Sequence, residues 1–349
     1  MGRKNKEYSI SLSKQIYNRL TQMQAFGESK RDAMKDGTVG EKIFSYATYE
    51  SYKKHIGYFV RWLKIEHPDA TTMRSAKRYV REWLEIRAGQ KDSKGRHLSA
   101  WTISLESAAL SKLFGIDKAD VDRFIAPSRR RQDIYRSRNI TEKDRHFSVT
   151  NNRELIEFCR GTGCRRNVLE RLKGSDLWTK AQITDEIMRL DDKKRVQGLD
   201  KKETAQLTSL KEAVRHFPAE SHFVHHRNDK GGRSRFSPIV GDNKEVIIQR
   251  FERTGRADKV WMHVPKNADI HSYRAEYAGQ VYKKYARSID QIPFDKKNRG
   301  TGHAYQSEVY VCRKDDFGKK FDRNAMLLCS KALGHNRISV VADHYLRNL

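Results

Sequence analysis

Cysteine is scarce in this chain, with four residues at 159, 164, 312 and 329 in a length of 349. They are too few and too scattered for a disulfide framework, and the Cys159/Cys164 gap fits no common zinc spacing. They read as reduced, mostly buried thiols. Long apolar runs are missing too. None approaches the ~20 residues that span a bilayer, and the start Met1-Gly2-Arg3-Lys4-Asn5-Lys6 has no apolar signal-peptide core. These absences predict a cytoplasmic protein with no membrane partner. Acidic residues are in deficit, 44 against 71 Lys plus Arg, leaving a formal charge of +27. That is the electrostatic footprint of a polyanionic partner.

The length predicts two domains or slightly more, and 10% aromatic residues suffice to build their cores. Residues 1–40 carry Ile10, Leu12, Ile16, Leu20, Met23 and Phe26 at roughly helical spacing. This predicts an arm or docking helix that packs on its own domain or on a neighbouring protomer. Residues 41–126 predict a small all-helical domain. Thr48 caps a first helix with Tyr52, Ile56, Phe59, Val60 and Leu63 on one face; a second runs near Ser75–Ala88; a third runs from Ser99 to Gly115. Residues 127–146 are arginine-rich and aperiodic, a basic linker whose arginines are expected on phosphates.

A third segment, 147–349, mixes helical periodicity with short strand-like runs, which predicts an α+β domain in a mostly α chain with a small β-sheet. Within it, 178–218 reads as a helical hairpin, through Ile183, Ile187, Leu190, Leu199, Leu207, Leu210 and Val214. The hairpin is either a coiled-coil contact between protomers or a passive decoration. Runs His222–His226 and Phe236–Val240 predict a β-hairpin with Lys230 at its tip, and Glu308–Cys312 predicts a strand of another. His222, His225 and His226 suggest zinc at first sight, but no fourth ligand lies at a supporting spacing.

Four stretches hold the candidate chemistry: Thr162-Gly163-Cys164-Arg165, Asn228-Asp229-Lys230-Gly231-Gly232, His271-Ser272-Tyr273-Arg274, and Leu333-Gly334-His335 followed by Tyr345. Two arginines, a lysine, two histidines and a tyrosine form a set suited to metal-free phosphoryl transfer on a nucleic-acid backbone. Arginine forks hold the non-bridging oxygens, lysine protonates a leaving oxygen, histidine takes a proton, and tyrosine attacks. Arg165 opens a helix, where free amides already favour an anion. His271 and Arg274, three apart behind the cap Asp269, share one helix face.

In that order these motifs resemble the tyrosine recombinases, the phage-lambda-type integrases, and more narrowly the integrases of conjugative transposons and other mobile elements. The resemblance covers roughly the C-terminal two hundred residues well and 40–125 loosely, and it implies that the 178–218 hairpin is inserted where the family has a short connection. It implies a helical core-binding domain followed by a catalytic domain, double-stranded DNA with inverted repeats as substrate, a homo-tetramer on two duplexes, and no metal or other cofactor. It further implies that Tyr345 attacks to leave a 3′-phosphotyrosine, that Arg165, Arg274 and His335 stabilise the oxyanion, that Lys230 protonates the leaving oxygen, and that His271 assists the tyrosine proton. Two departures stand out. The family's acidic residue three positions after the first arginine is here Val168, so Glu170 is the expected orienter of Arg165, with Arg166 a rival for its role. Tyr345 follows His335 by ten residues, one more than is common, with only four residues beyond it. A type IB topoisomerase and a catalytically silent DNA-binding protein are the alternative readings.

Overall fold

The computed structural model describes residues 10–93, 95–117, 119–121, 123–129, 147–229, 232–292, 307–313, 316–335, 337–346 and 349. The chain forms two compact units, Met1–Arg136 and Ser137–Leu349. The described residues are mostly helical with a small antiparallel β component, an α+β composition. Among them no helix is long and apolar enough to cross a membrane. Lys230 and most of the basic linker lie outside the described residues.

The described residues of the first unit include α1 (Leu12–Gln22), α2 (Lys30–Lys35), α3 (Tyr46–Glu66), α4 (Met73–Lys77), α5 (Val80–Gly89) and α6 (Ala100–Phe114). The stripe expected on an arm or docking helix is closed into this unit's own core. Leu12, Ile16, Leu20 and Met23 are buried with Ile56, Phe59, Leu63, Leu84 and Leu110. Helix α3 begins three residues before the sequence reading because Ser45, not Thr48, is the cap. Ser45 Oγ accepts from the Thr48 amide at 3.2 Å, and the two hydroxyls lie 2.8 Å apart. The helix expected near Ser75–Ala88 is two, α4 and α5, and at the break Tyr79 stacks on His67 with 3.8 Å between ring centroids. Helix α6 starts behind Ser99 and stops at Gly115, as the spacing predicts. The reading missed Glu106, fully buried on α6. It accepts from Arg87 Nη2 at 2.7 Å and Nε at 3.0 Å and lies 3.0 Å from His55 Nδ1, joining three helices through one satisfied carboxylate.

The second unit follows with α7 (Arg153–Thr162), α8 (Arg166–Leu169), β1 (Leu177–Thr179), α9 (Lys180–Val196), α10 (Lys201–His216), β2 (His222–Asp229), β3 (Arg233–Pro238), α11 (Lys244–Glu252), α12 (Ile270–Tyr285), β4 (Val309–Val311), β5 (Lys320–Asp322), α13 (Arg323–Ala332) and α14 (Ile338–His344). Strands β1, β2 and β3 form one antiparallel sheet in that order, with Phe223 opposite Pro238 and His225 opposite Phe236; β4 and β5 form a separate ladder.

Capping boxes on Thr179 and Gln182 and on Asp200 and Glu203 start both helices of the inserted hairpin. Its apolar face is neither a free coiled-coil seam nor a passive decoration. Ile183, Leu190, Leu207, Leu210 and Phe217 are buried in one cluster with Phe223, Phe236, Tyr277, Val341 and Tyr345. A second cluster joins Leu155, Phe158, Leu169, Ile247, Phe251 and Trp261. Asp322, fully buried, caps α13 by accepting from the Asn324 amide at 2.9 Å and holds Arg287 Nε at 2.9 Å, tying the segment after α12 to the start of α13.

Candidate active site

The site lies where the ends of α7, β2 and α13 meet α12 and α14. Helix α7 ends at Gly163, whose φ of 58° is left-handed. A side chain there would collide with the Tyr277 ring. The turn releases the Gly163 carbonyl to Arg274 and sends the chain through buried Cys164 to Arg165, the N-cap residue of α8. Arg165 thus sits at the four-residue helix's start, as its position in the sequence predicts.

Its partner is not Glu170. Arg165 Nη1 donates to Asp229 Oδ2, and Nη2 reaches the Leu333 carbonyl at 3.4 Å. Val168, at the expected acidic position, is buried in apolar packing, so the compensating carboxylate comes from the end of β2. The ladder is irregular between His226 and Asp229, and Asn228 takes a φ of 47°, at the bulge that precedes the Asp229–Arg233 pair. Arg166, the rival, is committed elsewhere. Its guanidinium donates to the carbonyls of Val264, Pro265, Lys266 and Ala268 and so staples the loop before α12.

Asp229 also accepts from Arg235 Nε at 3.0 Å, a second guanidinium the sequence reading missed. Arg235 is buried on β3, donates to the Ala332 carbonyl, and lies 2.8 Å from His226 Nδ1. Gly334, with φ 67°, follows α13, and a Cβ there would lie 2.6 Å from Arg235 Cδ. The space that a side chain would take at this position is therefore filled by a protein arginine. Alternation along β3 was the available signal, since Arg233, Arg235 and Ser237 share one face.

Helix α12 begins behind Asp269, whose carboxylate accepts from the Ser272 amide at 3.1 Å, as predicted. Arg274 is 2% exposed and donates to the carbonyls of Gly163 and Leu333, while its buried Nε has no hydrogen-bond partner. Burial and then Arg235 push Arg274 down to about 10, which leaves it a cation at neutral pH. Its guanidinium carbon lies 5.8 Å from the Tyr345 ring centroid. Tyr345, just past α14, is 7% exposed, and its hydroxyl lies 3.2 Å from His335 Nε2. The His271 ring faces the same tyrosine, with centroids 5.5 Å apart and 24° between planes. Burial, then Arg274, Arg165 and Arg235, hold His335 down to about 3, so its imidazole is neutral at neutral pH and has a ring nitrogen free of charge beside the tyrosine hydroxyl.

Five of the six sequence-predicted site residues therefore come together: Arg165, His271, Arg274, His335 and Tyr345. The sixth, Lys230, lies outside the described residues, although Asp229 beside it is part of the site. Two guanidiniums, Arg165 and Arg235, share the Asp229 carboxylate, and a cleft of about 490 Å3 opens beside Arg165, His271 and Arg274, ample for a phosphodiester. Among the described residues, His225 and His226 belong to no cluster of three candidate metal ligands. Their Nε2 atoms lie 2.6 Å and 2.5 Å from the hydroxyls of Ser234 and Ser237, and burial lowers both pKa values. The sequence matches no family model, and no curated protein matches it significantly.

Proposed function

We propose that this protein is a tyrosine recombinase that cuts and rejoins double-stranded DNA through Tyr345. The observation that carries the reading is a tyrosine hydroxyl 3.2 Å from a neutral histidine, with its ring beside Arg274 and His271, two residues that line a cleft together with Arg165. A scissile phosphate bound there has its non-bridging oxygens held by Arg165 and Arg274, whose unpartnered Nε offers one further donor. The Tyr345 oxygen attacks phosphorus as its proton passes to a base. Sequence reasoning gave that role to His271; the hydrogen bond favours His335, with His271 against the ring. The bond to the 5′ oxygen breaks, Lys230 protonates that oxygen, and a 3′-phosphotyrosine and a free 5′-hydroxyl result. Attack by another strand's 5′-hydroxyl reverses the step and returns the proton to Tyr345. Phosphodiester energy is conserved throughout, so no nucleotide is hydrolysed. The further elements of the reading are the first unit as core-binding domain, a homo-tetramer on two duplexes, inverted-repeat target sites, integration and excision of a mobile element, and action in the cytoplasm.

The test uses nicked duplexes drawn from a random-sequence pool. Wild type accumulates a covalent complex whose digested peptide carries phosphate on Tyr345 at the 3′ side of the break, and Tyr345→Phe binds DNA but forms none. An adduct on Tyr285 or Tyr310, attachment to a 5′ end, or full activity of Tyr345→Phe overturns the reading.

A further inference from the structure

A second cavity, of about 370 Å3, begins at Arg165 and His335 and runs between helix α10 of the inserted hairpin and the strand β3 and helix α13 opposite. Its α10 wall carries Lys201, Thr204, Ala205, Thr208 and Glu212, at the i, i+3, i+4, i+7 and i+11 positions of one helix face. Leu207 and Leu210 turn the other way into the core. Small side chains thus occupy the middle of the wall, where a polymer backbone can come close, with Lys201 at the far end and Lys331 and Arg233 on the opposite side. The walls are fixed to one another. Ser209 Oγ donates to the Ser234 carbonyl at 3.1 Å, and Lys331 pairs with Glu212 at 2.6 Å. The described residues that line the groove include five cations, Arg165, Lys201, Arg233, Arg235 and Lys331, and two carboxylates, Glu212 and Asp229.

We propose that this groove is a second nucleic-acid subsite, which holds the sugar–phosphate backbone flanking the bond attacked by Tyr345. The proposal rests on the phosphodiester reading above and adds a role for the insertion: α10 is a wall of the DNA channel. From Lys201 to Glu212 is roughly 16 Å at 1.5 Å per helical residue. At about 3.4 Å of duplex per nucleotide of one strand, the α10 wall runs alongside about four or five flanking nucleotides.

Salt titration of binding to a random-sequence duplex of about 30 base pairs tests it. Each lost phosphate contact lowers the slope of log K against log salt by about 0.9. Lys201→Ala and Arg233→Ala each produce that drop, the double variant produces about 1.8, and Lys201→Arg keeps the wild-type slope. Lys194→Ala, an exposed lysine on α9 of the same hairpin, leaves it unchanged. Unmoved slopes in the groove variants, or an equal fall in Lys194→Ala, overturn the proposal. Covalent attachment on the nicked duplexes is scored separately. If wild type attaches and the slopes do not move, the groove alone falls; if the slopes move and no adduct forms, the groove stands and the cleavage reading falls. A wild type that binds no duplex overturns both.

Discussion

Removing the Asp229 carboxylate leaves the largely buried Arg165 and Arg235 guanidiniums without the counter-charge they share. Breaking a buried ion pair from one side costs about 3–5 kcal/mol, because the surviving charge stays desolvated. Asp229→Ala is therefore expected to lose about 3 kcal/mol in urea unfolding, more than Glu170→Ala, which should stay within about 0.5 kcal/mol. Equal losses in the two variants would return the orienting role to Glu170. Histidine protonation gives a second expectation at this scale. His225 and His335 are held down to about 3, and His226 is held well below the ordinary value, each chiefly by burial. With folded pKa values depressed, the unfolded chain binds protons that the native state refuses. Stability is thus fully present above about pH 6.5 and is lost as pH falls toward 3. Between those limits the dependence should weaken by about one proton in His335→Gln, read from urea midpoints at pH 7.5, 6 and 5. An unaltered slope would mean that His335 already takes up its proton in the folded state.

Among the elements, the inserted hairpin carries the largest consequence. Ile183, Leu190, Leu207, Leu210 and Phe217 are buried in the cluster that also holds Tyr345. At about 1.5–3 kcal/mol for each large apolar side chain, these five contribute on the order of 10 kcal/mol, comparable to the whole stability of a typical domain. Replacing 180–217 with a short Gly/Ser linker should therefore abolish the cooperative unfolding of the second unit, seen by calorimetry. A deletion that folds normally and only fails to assemble on DNA would restore the protomer-contact reading. Gly334 shows the same coupling between element and site. Its left-handed φ ends the segment after α13, and its missing Cβ leaves room for Arg235, the residue that carries the Ala332 carbonyl.

For the whole molecule, a formal charge of +27 on 349 residues makes association with a polyanion steeply dependent on ionic strength. Replacing Arg129, Arg130 and Arg131 together by alanine should reduce the salt slope of duplex binding by about 2.7, at ~0.9 for each phosphate contact. Arg129 Nε already reaches Ser104 Oγ at 3.3 Å, so part of that residue's reach is internal. A slope unchanged by the triple replacement would make the segment ordinary solvated surface.

Local signals were legible in the sequence because their causes are local. A serine before an apolar run caps α6, Asp269 caps α12, Gly163 and Gly334 allow the left-handed turns that end helical segments, and apolar spacing outlined the two inserted helices. All six candidate site residues could be named from four short motifs, since each motif needs only a few neighbours to form. What the sequence by itself determined was therefore the caps, the turns, the helical faces and the excess of positive charge. Tertiary structure alone decided that Asp229 balances Arg165 across 64 residues, that Arg235 joins β2 to the end of α13, that the hairpin's leucines belong to the core, and that His335 bonds the tyrosine. The physical reason is desolvation: a buried charge must find its counter-charge wherever the fold brings one within reach, and that distance is not written in residue spacing.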